Sequence, residues 1–95
     1  MLERFKVPDE DKIFVDSEKI FDLTKNILKN IGVSEKGANN TASVLIGNDL
    51  RGVESHGVSN GLRLYLDRYK DGTYNPSPNI KILRETPTTA KIDGD

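Results

Sequence analysis

The sequence contains no cysteine, so it can build neither a disulfide framework nor a thiolate metal site. Its single histidine, without cysteine partners, makes a zinc site unconvincing as well. Carboxylates alone would suit magnesium or calcium, but no ligand spacing supports either, and no metal is expected. An excess of charge of one sign is also missing. Fourteen basic residues stand against fifteen acidic ones, and the lysines and arginines are scattered along the chain. A nucleic-acid binder needs a basic face or a high pI, so no nucleic-acid partner is expected. No apolar run approaches the length of a membrane span, and the opening MLERFKVPDEDK has no stretch like the core of a signal peptide. These absences lead to the expectation of a soluble, cytoplasmic protein with no membrane partner. Gly-x-Gly-x-x-Gly is absent too. Gly57 and Gly61 are four apart and no strand precedes them, so there is no Rossmann-type dinucleotide fingerprint.

What is present is a globular composition. At 95 residues the chain is one domain at most, and folded alone it would bury only about 60–65% of its unfolded surface. Residues 1–15 are charged, include Pro8 and show no period; they are expected to be a flexible lead-in. A helical region over 16–72 follows. Asp16 or Ser17 can cap a first helix, because a short side-chain oxygen can accept from an orphan N–H of the first turn. Ile20, Leu23, Ile27, Leu28 and Ile31 recur at helical spacing, and Gly32 stands at the expected C-terminal cap. Ser34 restarts the pattern with Glu35 in the first turn. Ala38, Ala42, Leu45, Ile46 and Asp49 lie on one stripe, its small residues suiting close packing against the first helix. The pair reads as a helical hairpin that runs out near Arg51-Gly52.

A third helix fits Ser59 to Lys70, with Leu62, Tyr65, Leu66 and Tyr69 on its buried face. The tyrosines at 65 and 69 are four apart, which points to the core and not to a stacking platform. Asn75-Pro76-Ser77-Pro78 reads as a stiff connector, since each proline pushes the residue before it out of the helical region. Asn79 to Glu85 and Thr88 to Ile92 are β-prone runs, read as two strands able to pair as a hairpin, that open a β-containing domain over 73–95. The fold class is α+β. The sequence stops at Asp93-Gly94-Asp95 directly after a strand, which is expected of a fragment of something longer.

One segment resists a purely structural reading: Asp49-Leu50-Arg51-Gly52-Val53-Glu54-Ser55-His56-Gly57. It holds the only histidine, two glycines bracket it, and it falls between two expected helices. Glycines let a ligand approach the main chain, and loops on a rigid scaffold are where catalytic side chains tend to sit. A histidine near a helix start meets the positive end of the dipole, which favours its neutral form, while a nearby carboxylate pushes the other way. Either way it stays usable as a general acid or base near neutral pH. The plainer readings also stand. A lone loop histidine is often a polar surface residue, Arg51 suits the end of a helix dipole, and Asp49 and Glu54 are most often solvated charges. Ser55 beside His56 is not a hydrolase signature, because neighbours in sequence usually point apart.

Extended to Val58, this segment resembles the D-L-R-G-x-x-S-H-G-V signature of the malate/L-lactate dehydrogenase family. The likeness continues in the amphipathic helices before it, the L-x-x-Y-L-x-x-Y-x-x-G helix after it, Asn75-Pro76-x-Pro78 and Thr89-Ala90-x-Ile92-Asp93-Gly94. It covers most of residues 16 to 95. The resemblance implies an oxidoreductase that moves a hydride between NAD or NADP and a 2-oxo or 2-hydroxy acid such as malate or lactate. It also implies a larger, non-Rossmann fold and a homodimer. It makes His56 the proton donor and acceptor for the substrate oxygen, Ser55 its orienting or relaying partner, and Arg51 a helper that pairs with acidic groups near the site. Many members carry an arginine four residues after the motif histidine, suited to the substrate carboxylate. Here that position is Asn60, and Arg63, seven residues after His56, is the candidate replacement. The nicotinamide-binding elements would lie mostly beyond Asp95, so this chain alone is expected to be inactive. The alternative is a non-catalytic helical module whose apolar faces bind a partner chain.

Overall fold

The computed structural model describes residues 7–95; the first six residues of the expected lead-in lie outside the described residues. Helix α1 spans Ser17–Asn30, α2 Glu35–Leu50 and α3 Val58–Lys70, and strands β1 (Lys81–Glu85) and β2 (Ala90–Asp93) follow. Three helices and then an antiparallel hairpin make an α+β chain in the order the periodicity predicts.

Capping explains where the helices start. The Asp16 carboxylate accepts from Lys19 N at 2.9 Å, which settles the choice between Asp16 and Ser17, and Ser34 Oγ accepts from Gly37 N at 3.1 Å. Each such cap contributes about 1 kcal/mol by satisfying an orphan donor. At the α1–α2 turn, Val33 N donates to Leu28 O at 3.1 Å and Gly32 N to Lys29 O at 3.0 Å, closing the first helix. Glu35 then bridges back to Lys25 and Lys29 of α1, at 2.5 Å each, so the ends of the helical hairpin are also joined by charge. The ammonium of Lys25 first, and that of Lys29 second, hold the Glu35 carboxyl down at about 2.

The core is formed by Leu28, Val33, Ala38, Leu45 and Leu62, with Ile27, Ile31, Val58, Tyr65, Leu66 and Tyr69 packed around it. One position departs from the periodicity. Leu23 is 59% exposed, and its neighbour Thr24 is the buried residue at 1%. The centre line of the α1 face runs through Thr24 and Leu28, four apart, while α2 presents the fully buried alanines Ala38 and Ala42. Closely approached helices favour a small residue at the seam, and a pattern scored on hydrophobicity alone picks leucine over threonine. Oγ1 of Thr24 finds no hydrogen-bond partner among the described residues.

Beyond α3, Tyr74 folds back on the other two tyrosines, with ring centroids 6.2 Å from Tyr65 and 5.7 Å from Tyr69, the latter in an edge-on contact. Burial raises the Tyr69 phenol above its ordinary value. Ser77 Oγ donates to Gly32 O at 3.2 Å and ties the proline connector to the α1–α2 turn. The strands are shorter than the β-prone runs. Asn79 N donates to Asp95 Oδ2 at 2.8 Å and so stays out of the ladder. Thr86 and Thr89 close the turn through Thr86 N to Thr89 O at 2.8 Å and a hydroxyl pair at 2.7 Å. Ile82 pairs with Ile92 and Arg84 with Lys91, so Leu83 is the extra residue of a bulge.

Candidate active site

Helix α2 ends in a turn that only a residue tolerating positive φ can make: Gly52 sits at φ 75°. Val53 N donates back to Asn48 O at 2.8 Å, and Glu54–His56 then form one turn of 3-10 helix leading into α3. This short turn places the serine and histidine. Ser55 Oγ lies 2.9 Å from His56 Nδ1, and both side chains are exposed. The expectation that these neighbours point apart is therefore corrected. Nδ1 is the ring nitrogen nearer the backbone, so a short hydroxyl one residue away can reach it when the backbone is tightly coiled.

The other sequence candidates distribute unevenly. Asn60, itself exposed, turns its amide toward Ser55 O at a long 3.5 Å. Arg51 forms the C-cap of α2 with its backbone N–H, and Arg63 projects from α3. Both arginines are exposed, and neither guanidinium has an ion pair among the described residues. The structure thus joins Ser55, His56 and Asn60 into one bonded group and leaves two cations open to solvent.

Two residues matter more to this group than their types suggested. Asn48 Nδ2 donates to His56 O at 3.0 Å, and Asp49 Oδ2 accepts from Val58 N at 2.9 Å. Asp49 is partly buried and bonded, so it is not a solvated charge. A signal for this was present in the sequence. An acidic residue in the last turn of a helix opposes the dipole, and the last turn of α2 holds no basic residue. Such a misplacement is relieved when the carboxylate serves the N-terminus of the next helix.

Gly57 is also explained by Asp49. Its φ of −90° and ψ of −164° are open to any residue, but an added Cβ would fall 1.7 Å from Asp49 Oδ1 and 2.3 Å from its Cγ. Space, and not backbone angle, makes this position a glycine.

With this geometry in place, the comparison with known proteins is decisive. A family model described as malate/L-lactate dehydrogenase matches residues 15–95, which include every residue of the site. The chain belongs to the malate/L-lactate dehydrogenase family. It is 42% identical over 87 residues to malate dehydrogenase of Pyrococcus horikoshii, covering 92% of this chain and 24% of that protein. It is 40% identical over 90 residues to L-sulfolactate dehydrogenase of Methanocaldococcus jannaschii, covering 95% of this chain and 23% of that one. The solved structure of the Pyrococcus horikoshii malate dehydrogenase superposes with a TM-score of 0.85 at 41% identity, over 95% of this chain and 26% of that chain. The solved structure of malate dehydrogenase from Entamoeba histolytica superposes with a TM-score of 0.78 at 36% identity, over 84% of this chain and 22% of that chain. The chain therefore spans about a quarter of the length of the family members it matches.

Proposed function

We propose that the whole protein is an NAD- or NADP-dependent oxidoreductase that interconverts a 2-oxo acid and its 2-hydroxy acid, with malate, lactate or sulfolactate as the substrate class. Residues 16–72 would carry the acid/base and 73–95 would begin the β-containing domain. The observation that carries this reading is the Ser55–His56 bond inside the family signature.

The pair suits a reversible proton transfer. In reduction the imidazolium is the acid: Nδ1–H donates to Ser55 Oγ, and Nε2–H passes to the carbonyl oxygen as it gains negative charge, leaving a neutral ring. With Nδ1–H donating to the serine, Nε2 is bare and can take the proton of an alcohol. The serine accepts from Nδ1–H in both directions, so one arrangement serves reduction and oxidation. The substrate carboxylate calls for a cation, best a planar guanidinium that can bind both oxygens, and Arg63 and Arg51 are the candidates. Asn60 has its amide toward Ser55 O and would supply at most a further contact.

The helix N-terminus beside the histidine offers no place for the pyrophosphate of the dinucleotide. A pyrophosphate is favoured at a helix N-terminus. The N-terminus beside His56, that of α3, is already filled by the Asp49 carboxylate. Other parts of the whole protein would hold the cofactor, and the 95-residue chain alone would not turn over. We also infer a homodimer. Ile13 and Phe14, 88% and 93% exposed, are apolar side chains that a second copy or the remainder of the whole protein would cover.

The test is a spectrophotometric assay of the full-length protein with NADH and with NADPH against a panel of 2-oxo acids. Cofactor oxidation with at least one acid is the expected result. Silence across the panel would remove the enzymatic reading and favour a helical interaction module.

A further inference from the structure

We propose that Asn48 and Asp49 are a positioning pair that sets the aim of His56 through the backbone on either side of Gly57. The inference rests on His56 being the acid/base, and it adds two residues that act through the backbone around it. They are consecutive in the last turn of α2 and grip the chain before and after that glycine. Asn48 Nδ2 holds the carbonyl of His56 at 3.0 Å, and Asp49 Oδ2 holds the N–H of Val58 at 2.9 Å.

Three features make this a clamp for the histidine and more than a helix cap. First, the two bonds fix the peptide planes immediately after His56, so the Cα from which the ring projects is referenced to α2. Second, Ser55 Oγ fixes the ring about that Cα at 2.9 Å. Orientation thus passes from α2 through Asn48 and Asp49 to the backbone of 56–58, and from Ser55 to the ring. Third, Gly57 has given up its side chain to admit the Asp49 carboxylate, since a Cβ would stand 1.7 Å from Oδ1. The charge itself lies at the unfavourable end of α2 and the favourable end of α3. It is anchored where the two helices meet.

A displacement of about 1 Å at a reacting group can cost about 10²-fold in rate. The experiment uses the full-length protein and compares Asp49→Ala, Gly57→Ala, the double variant and Asp49→Asn with His56→Ala. For each, kcat, KM for the 2-oxo acid, cofactor Kd and Tm are measured. Asp49→Ala and Gly57→Ala should each lower kcat by roughly 10²-fold while KM and cofactor Kd hold. Asp49→Asn keeps an oxygen for Val58 N–H and should recover most of the lost kcat. The double variant should be no worse than Asp49→Ala, because the atom that Cβ would strike is gone. If Asp49→Ala does not fold, Asn48→Ala carries the test, since it loses one exposed bond and should lower kcat at unchanged Tm and KM.

Wild-type kcat in Asp49→Ala, Gly57→Ala or Asn48→Ala, with His56→Ala inactive, overturns the clamp alone. Losses that simply add in the double variant overturn it as well. Activity retained by His56→Ala overturns the acid/base reading, and the clamp falls with it.

Discussion

Helix α3 crosses α2 where Gly61 faces Leu45, and that contact predicts a substitution whose sign depends on its neighbour. A Cβ added at Gly61 would lie 2.6 Å from Leu45 Cδ2, with the next Leu45 atom, Cγ, at 3.9 Å. The obstruction is therefore one methyl group. In the wild-type background, Gly61→Ala gains about 1 kcal/mol of helix propensity and loses roughly 1–3 kcal/mol to overpacking, for a net loss of about 0–2 kcal/mol. Leu45→Val removes the δ-carbons from a core residue that is 1% exposed and should cost about 1 kcal/mol. In the Leu45→Val background, Gly61→Ala meets only ordinary contacts, and the propensity gain of about 1 kcal/mol stands alone. The double-mutant cycle should show a coupling of roughly 1–3 kcal/mol, equal to the overpacking relieved. Urea unfolding followed by far-UV circular dichroism reads all four corners. Additivity within about 0.5 kcal/mol would refute the close α2–α3 approach that carries the histidine turn.

Two further predictions concern the backbone and pH. Gly52→Ala should destabilise by about 1–2 kcal/mol although nothing lies within 4 Å of the new Cβ, because the whole cost is φ 75°. Gly52→Asn should lose less, and equal losses on thermal unfolding would contradict a left-handed turn. The Glu35 carboxyl, ordinarily at 4.5, is lowered in the fold to about 2 by Lys25 and Lys29. A depressed carboxyl stabilises above its unfolded value and loses that contribution as pH falls. The Tm advantage of wild type over Glu35→Gln should be full above pH 4.5 and vanish toward pH 2. Because Glu35 is exposed, the difference should be small and shrink in salt; a Tm gap independent of pH would count against the bridge.

The helices were legible because their signals are local. Asp16, Ser34 and Gly32 are caps whose chemistry acts within one turn, and Ala38, Ala42 and Leu45 are buried where a period of 3.6 puts them. Leu23 and Thr24 were not separable, since which of two adjacent positions faces α2 depends on how closely the helices approach. The strand ends were blurred for a similar reason: Thr88 and Thr89 have β-prone side chains, but the hydroxyl pair of Thr86 and Thr89 claims them for the turn. At the site, Ser55, His56 and Gly57 stood out as a motif, whereas the roles of Asn48 and Asp49 depend on contacts eight and nine residues away. Gly57 shows how a residue type can mislead. Its identity suggests an unusual backbone angle, and the structure gives a carboxylate in the space of a side chain.

Whether His56 moves the proton is decided by turnover of the full-length protein beside that of His56→Ala. If it does, kcat falls by about 10²–10⁴-fold in the variant, with the cofactor Kd and Tm unchanged. Turnover by the variant at the wild-type rate would contradict it and reduce the motif to a structural turn.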